Sequence, residues 1–208
     1  MTDFGFYLVI TNPVVGYAKC AEAAVRAGVR IIQLRMKRAS REDILREARE
    51  MRRATAGTGT LFIVNDDPSI AAEAGADGVH VGQGDMRPRE VRERFPGLRI
   101  VGLSTHNPAQ VRASVGEPID YIGVGPVYAT PTKEIPDPTL GLATMAEMIS
   151  LAAHPAVAIG GIDEARLPGV IAAGARNFAV VRAVCSSSDP YSAIRRLQDR
   201  FLSPQPSP

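Results

Sequence analysis

The sequence predicts a single-domain (β/α)8 TIM barrel, and three observations carry that expectation. Eight short apolar runs, four to six residues long and rich in Val and Ile, recur at 6–11, 31–34, 61–64, 78–81, 100–103, 121–124, 156–159 and 178–181. They are continuous rather than alternating, the pattern of parallel strands covered on both faces. Longer amphipathic stretches separate them, so strands and helices alternate along the chain. Eight such units in about 200 residues suit a closed barrel, whereas an open flavodoxin-like sheet needs only five or six strands.

The punctuation between runs agrees with this order. Ser40 is a suitable N-cap for a helix over 41–56, with Asp43 at its third position. Pro88, Pro108, Pro168 and Pro190 fall near expected helix starts, where a missing N–H costs little. Ala27-Gly28, Ala74-Gly75 and Ala173-Gly174 each close a helix shortly before a strand. Glycine there supplies the left-handed cap. The barrel is expected over residues 1–202, and the Pro/Ser-rich segment 203–208 is expected to fray.

Composition bounds the function. The chain has 208 residues, 45% of them hydrophobic, enough for a sizeable core. Charged residues make up 22% and the formal net charge is +2, which gives no footprint for nucleic acid or a membrane surface. No secretory leader pattern and no apolar run of membrane-spanning length is visible, so a cytoplasmic enzyme is expected. Cys20 and Cys185 are isolated, share no metal-ligand spacing, and read as reduced packing residues. Lysine is scarce, only Lys19, Lys37 and Lys133. The oligomeric state is open, a homo-oligomer included.

In such barrels the chemistry sits where strands end. The second run ends in Gln33, Arg35 and Lys37, and the third in Asn65, Asp66 and Asp67. The fourth leads through His80 to Gln83 and Asp85, and the fifth to Ser104, Thr105 and His106. The sixth opens into Gly125-Pro126, Thr130, Thr132 and Lys133; the seventh ends in Gly160-Gly161, and the eighth in Val181-Arg182. Arg35, Lys37 and Lys133 with Asp66 and Asp85 suggest a polyanion bound beside Mg²⁺. That ion takes one or two carboxylates and completes its shell with water and phosphate oxygens. The bare backbone of Gly160-Gly161, with the following strand end, suits a monophosphate.

Plainer readings stand beside these. Asp66 or Asp67 serves equally well as a helix cap. Arg35 and Asp66 can form a structural ion pair of small net value. His80, inside an apolar run, reads as a hydrogen-bonded inner residue rather than a base. His106 reads as a capping or positioning residue before a general base. Tyr128 suits packing as well as substrate contact, and Met145 and Met148 read as helix packing.

Six ordered segments resemble the thiamine phosphate synthase family. They are 33–37 (Gln-Leu-Arg-Met-Lys), 65–66 (Asn-Asp), 78–85 (Gly-Val-His-Val-Gly-Gln-Gly-Asp), 102–106 (Gly-Leu-Ser-Thr-His), 120–133 and 158–162 (Ala-Ile-Gly-Gly-Ile). The resemblance spans nearly the whole chain. It implies condensation of hydroxymethylpyrimidine pyrophosphate with thiazole phosphate, giving thiamine phosphate and pyrophosphate. It implies pyrimidine-pyrophosphate contacts from Gln33, Arg35, Lys37 and Asn65, Mg²⁺ ligation by Asp66 and Asp85, and pyrophosphate contacts from Ser104 and Lys133. Thr130, Pro131 and Thr132 correspond to the thiazole-phosphate loop, and Gly160, Gly161 and the 181–182 pair to its phosphate donors. The implied mechanism is dissociative. Pyrophosphate leaves, a pyrimidine methyl cation forms and the thiazole nitrogen traps it, with Arg35, Lys37, Ser104 and Lys133 stabilising the departing charge.

The chain departs from the family pattern at Arg182, where a small hydroxyl residue is usual, and at Asn12, where an acidic residue is usual. Two competing functions remain from sequence alone. A thiazole tautomerase of the same superfamily would use His106 for proton transfer and lacks the need for Gln83 and Asp85. A non-catalytic phosphate-ligand sensor would need no complete metal-and-cation set.

Overall fold

The computed structural model describes residues 3–130 and 138–202 of the chain. Eight parallel strands close into a barrel in sequence order, the last pairing with the first. They are β1 (Phe6–Ile10), β2 (Ile31–Leu34), β3 (Leu61–Asn65), β4 (Gly78–Val81), β5 (Ile100–Thr105), β6 (Tyr121–Val124), β7 (Ala156–Ile159) and β8 (Asn177–Val180). Between them run α1 (Tyr17–Arg26), α2 (Arg41–Thr55), α3 (Pro68–Glu73), α4 (Pro88–Arg94), α5 (Pro108–Ala113), α6 (Gly141–Leu151) and α7 (Leu167–Ala172). After β8 come the single turn α8 (Arg182–Cys185) and α9 (Pro190–Leu202). The expected architecture is therefore present.

Its boundaries shift by a residue or two where hydrogen bonding decides. Ser40 caps α2 by accepting from the Asp43 N–H, and α2 ends at Thr55 because Ala56 turns to an extended conformation. Pro88, Pro108 and Pro190 open their helices, while Pro168 takes the second position of α7. Gly28, Gly75 and Gly174 all take positive φ just past α1, α3 and α7, as helix-ending glycines do.

Continuous apolar strands bury both faces. Outward residues such as Leu8, Ile32, Phe62, Val79, Val101, Ile122 and Phe178 pack against the helices. Inward residues Tyr7, Val9, Ile31, Ile63, Ile100, Tyr121, Val157 and Ala179 fill the barrel. Met145, Met148, Cys20 and Cys185 are buried in the outer layer, so the packing reading of all four holds. At the floor, the Asn177 side-chain oxygen accepts from the N–H groups of Phe4 and Gly5, tying the chain start to β8. Because strand residues alternate, the next inward positions toward the C-terminal ends are Gln33, Asn65, His80 and Ser104. The same alternation that builds the core thus delivers polar side chains to one mouth.

Candidate active site

The C-terminal mouth opens into a cavity of about 400 Å³. Every candidate site residue among the described ones lines it: Gln33, Arg35, Lys37, Asn65, Asp66, Asp85, Ser104, Thr130, Gly160, Gly161, Val181 and Arg182. Pro131, Thr132 and Lys133 lie outside the described residues. Asp67, Thr105 and Gln83 share the strand ends but do not line the cavity. Thr105 is buried and donates to the Gly123 carbonyl at 2.9 Å, and Gln83 donates to the Ser104 carbonyl at 2.7 Å.

The cavity floor is a line of hydrogen bonds that sequence reading passes over. The Gln33 amide nitrogen donates to the Tyr7 hydroxyl at 2.7 Å, and the Tyr7 and Tyr121 hydroxyls lie 2.9 Å apart. Tyr121 stands 3.0 Å from His80 Nδ1, and His80 Nε2 lies 2.9 Å from Ser104 Oγ. An amide nitrogen only donates, so Tyr7 accepts from Gln33. The Tyr7–Tyr121, Tyr121–His80 and His80–Ser104 contacts continue the line, their donors set by the hydroxyl rotors and the His80 tautomer. Burial raises both phenol pKa values above the ordinary value, so both stay protonated and remain donors. His80 is a bonded inner residue, as expected, and it also faces the cavity. Its ring stacks on Tyr121 with centroids 5.4 Å apart. The one sequence signal for this pair is Gly102: a Cβ there would lie 2.6 Å from His80 Nδ1 and clash with the Tyr121 ring.

Above β3 and β4 the charges gather. Asp66 has φ 67°, a left-handed turn that separates it from Asp67. The two candidate caps thereby divide their roles. Asp67 caps α3, accepting from the Ser69 and Ile70 N–H groups, and Asp66 points to the mouth and pairs with Lys37. The ion pair of Asp66 is thus with Lys37 rather than Arg35. Arg35 lies near enough to Asp66 for the carboxylate to support its charge, while burial, the larger effect, lowers its pKa. The Asp85 carboxylate accepts from the Gly82 N–H at 2.7 Å. Burial raises the Asp85 pKa, and the neighbouring Asp66 carboxylate raises it further, against the lowering by Gly82 and Lys37. Two carboxylates held against each other are relieved by a cation between them. The described residues contain no group of three or more His, Cys, Asp or Glu suited to a metal. Two carboxylates alone suit a hard ion that completes its shell with water and phosphate oxygens.

At the opposite side, Gly160 and Gly161 both take positive φ, 107° and 64°. Only glycine takes such a pair of conformations readily, and it leaves the backbone N–H groups here uncovered by side chains. The β6 loop lies directly on this turn: Val127 N–H donates to Ile159 O at 2.9 Å and Tyr128 N–H to Gly160 O at 3.0 Å. His106 Nδ1 lies 2.7 Å from the Gly125 carbonyl, and its backbone N–H donates to Gln110. A carbonyl only accepts, so Nδ1 carries the proton and the imidazole positions the loop. Arg182 lines this end directly after β8.

The chain is similar to known proteins over most of its length. The family model described as thiamine monophosphate synthase matches residues 6–184. A thiamine-phosphate synthase from Mycobacterium sp. (strain JLS) is 46% identical over 200 residues, covering 89% of this chain and 86% of that protein. A thiamine-phosphate synthase from Gloeobacter violaceus is 42% identical over 88% of this chain, which spans 53% of that longer protein. The solved structure of thiamine phosphate pyrophosphorylase from Pyrococcus furiosus superposes with a TM-score of 0.87 at 26% identity, covering 96% of each chain. The chain belongs to the thiamine monophosphate synthase family.

Proposed function

We infer that this chain condenses hydroxymethylpyrimidine pyrophosphate with thiazole phosphate to give thiamine phosphate and pyrophosphate. The observation that carries the reading is the placement, in one cavity, of the Asp66–Asp85 pair with Arg35 and Lys37 on one side and the Gly160-Gly161 turn on the other. One side suits a metal-bound pyrophosphate and the other a monophosphate. The apolar, hydrogen-bonded floor between them suits a flat heteroaromatic ring, with Gln33, Tyr121, His80 and Ser104 as its polar edge.

In this reading the chain's residues act mainly by holding charge. Asp66 and Asp85 would hold Mg²⁺, which when bound supplies positive charge to the leaving pyrophosphate oxygens. Arg35 and Lys37 add fixed positive charge on the same side, with Asn65 beside them and Lys133 as the expected further donor. Ser104, held with its Oγ 2.9 Å from His80 Nε2, brings a hydroxyl to the same side for an anionic oxygen. No side-chain nucleophile is needed, because the thiazole nitrogen attacks the pyrimidine methyl carbon once its bond to pyrophosphate breaks. The Gly160-Gly161 N–H groups, Thr130, Pro131, Thr132, Val181 and Arg182 are assigned to the thiazole phosphate, with Arg182 supplying charge where a hydroxyl is usual.

A proton-transfer isomerase has no use for the Asp66–Asp85 pair, which favours the synthase over the tautomerase. A phosphate sensor gains nothing from it either. Among the described residues no helix is long and apolar enough to cross a membrane. We assign the chain to the cytoplasm and its partners to these small molecules. Mixing the protein with both substrates and Mg²⁺ should release pyrophosphate and form thiamine phosphate in equal amounts. No pyrophosphate, with thiazole phosphate still bound, would overturn the synthase in favour of the tautomerase or the sensor.

A further inference from the structure

Arg166 opens toward the monophosphate side of the cavity from the turn just before α7. Its Nη1 donates to the Gly161 carbonyl at 2.8 Å, and its guanidinium lies over the Tyr128 ring, 5.0 Å from the centroid. Asp163 approaches only to 3.9 Å, between half-exposed groups, a weak pairing. Gly161 and Tyr128 already touch. A Cβ on Gly161 would meet Tyr128 Cβ and the Ala129 carbonyl, each at 2.8 Å. One cation therefore grips the two loops at their point of contact, by a hydrogen bond on one and a cation–π contact on the other. A held carbonyl fixes the orientation of its own peptide plane, which here carries the Ile162 N–H at the cavity wall. The preceding plane, whose Gly160 carbonyl accepts from the Tyr128 N–H, carries the Gly161 N–H assigned to the thiazole phosphate. Tyr128 lies two residues before Thr130, so the same grip acts on the loop that carries that hydroxyl.

We propose that Arg166 is a positioning residue for the phosphate of the second substrate, clamping the Gly161 peptide to the Tyr128 loop so that both present donors to one anion. The proposal rests on the assignment of the thiazole phosphate to this side of the cavity. It makes Arg166 a determinant of the preference for the phosphorylated thiazole over the free thiazole alcohol. Lysine can reach the Gly161 carbonyl but cannot stack a planar face on Tyr128 while doing so.

The test compares wild type, Arg166→Met and Arg166→Lys by steady-state kinetics with each substrate varied, and by calorimetry with thiazole phosphate and with the alcohol. For Arg166→Met, the expected result is a rise of about tenfold in KM and Kd for thiazole phosphate. The KM for the pyrimidine pyrophosphate should move less than twofold, and the preference for phosphate over alcohol should fall about tenfold. Arg166→Lys should recover only part of that preference. Equal rises in both KM values, an unchanged preference, or full recovery by lysine would overturn the proposal. Wild type that binds thiazole phosphate without releasing pyrophosphate would overturn the synthase reading alone, and the calorimetric comparison would still decide the role of Arg166. Wild type that does not bind thiazole phosphate would overturn both.

Discussion

His80 Nδ1 and the Tyr121 hydroxyl lie 3.0 Å apart across two strands, and their rings stack only because the inward position between them on β5 is Gly102. The pair sits at the middle of the hydrogen-bonded line from Gln33 to Ser104. Gly102→Ala should force Tyr121 or His80 to move, at a cost of about 1–3 kcal/mol for overpacking. The expected result is a lower thermal midpoint together with a fall in turnover larger than the folded fraction explains. Unchanged kinetics in the folded variant would remove the floor from the site.

Neighbouring aspartates should separate stability from activity. Asp67→Ala removes the α3 cap and should cost about 1 kcal/mol, with turnover preserved in the folded protein. Asp66→Asn should do the reverse. Asparagine tolerates the positive φ at this position, and the lost pairing with half-exposed Lys37 is worth little to the fold. Turnover should fall on the order of 100-fold or more, since charge stabilisation at the pyrophosphate is lost. Urea unfolding and initial rates on both variants check the crossover.

Metal dependence should follow the carboxylate pair. Chelation is expected to abolish turnover, and added Mg²⁺ to restore it. Asp85→Asn should raise the Mg²⁺ concentration for half-maximal rate by about tenfold or more, because one ligand of the proposed pair is gone. A rate unaffected by chelator would eliminate the Mg²⁺ role assigned to Asp66 and Asp85.

The barrel was legible because strands buried on both faces write themselves as continuous apolar runs, and because Ser40, Pro88 and Gly28 mark where helices start and stop. The rim was legible in outline for the same reason, since the residues after each run gather at one end of the barrel, although Asp67 and Thr105 there are taken up by capping and packing. The floor was not. Within a continuous run, inward Tyr7 and outward Leu8 look alike, and only barrel closure sets Tyr7 of β1 facing Tyr121 of β6. The division between Asp66 and Asp67 depends on a single backbone reversal that composition does not encode. Arg166 lies away from any strand end, at the foot of α7, and becomes visible only when its side chain returns to Gly161.

Lys133 carries the last prediction, and it concerns charge alone. Lysine is scarce in this chain, and Lys37 and Lys133 follow the second and sixth strands, so one cation is expected from each side of the departing pyrophosphate. An ammonium acts there as a point charge on phosphate oxygens. Its contribution should grow as the bond to carbon breaks and the leaving group gains charge. Lys133→Ala should therefore lower kcat by about 100- to 1,000-fold, the usual loss for one such donor, while the thermal midpoint stays near that of wild type. Lys133→Arg keeps the charge and should recover part of the loss. An alanine variant that turns over at the wild-type rate would remove Lys133 from the site and leave Arg35, Lys37 and the metal to stabilise the leaving group.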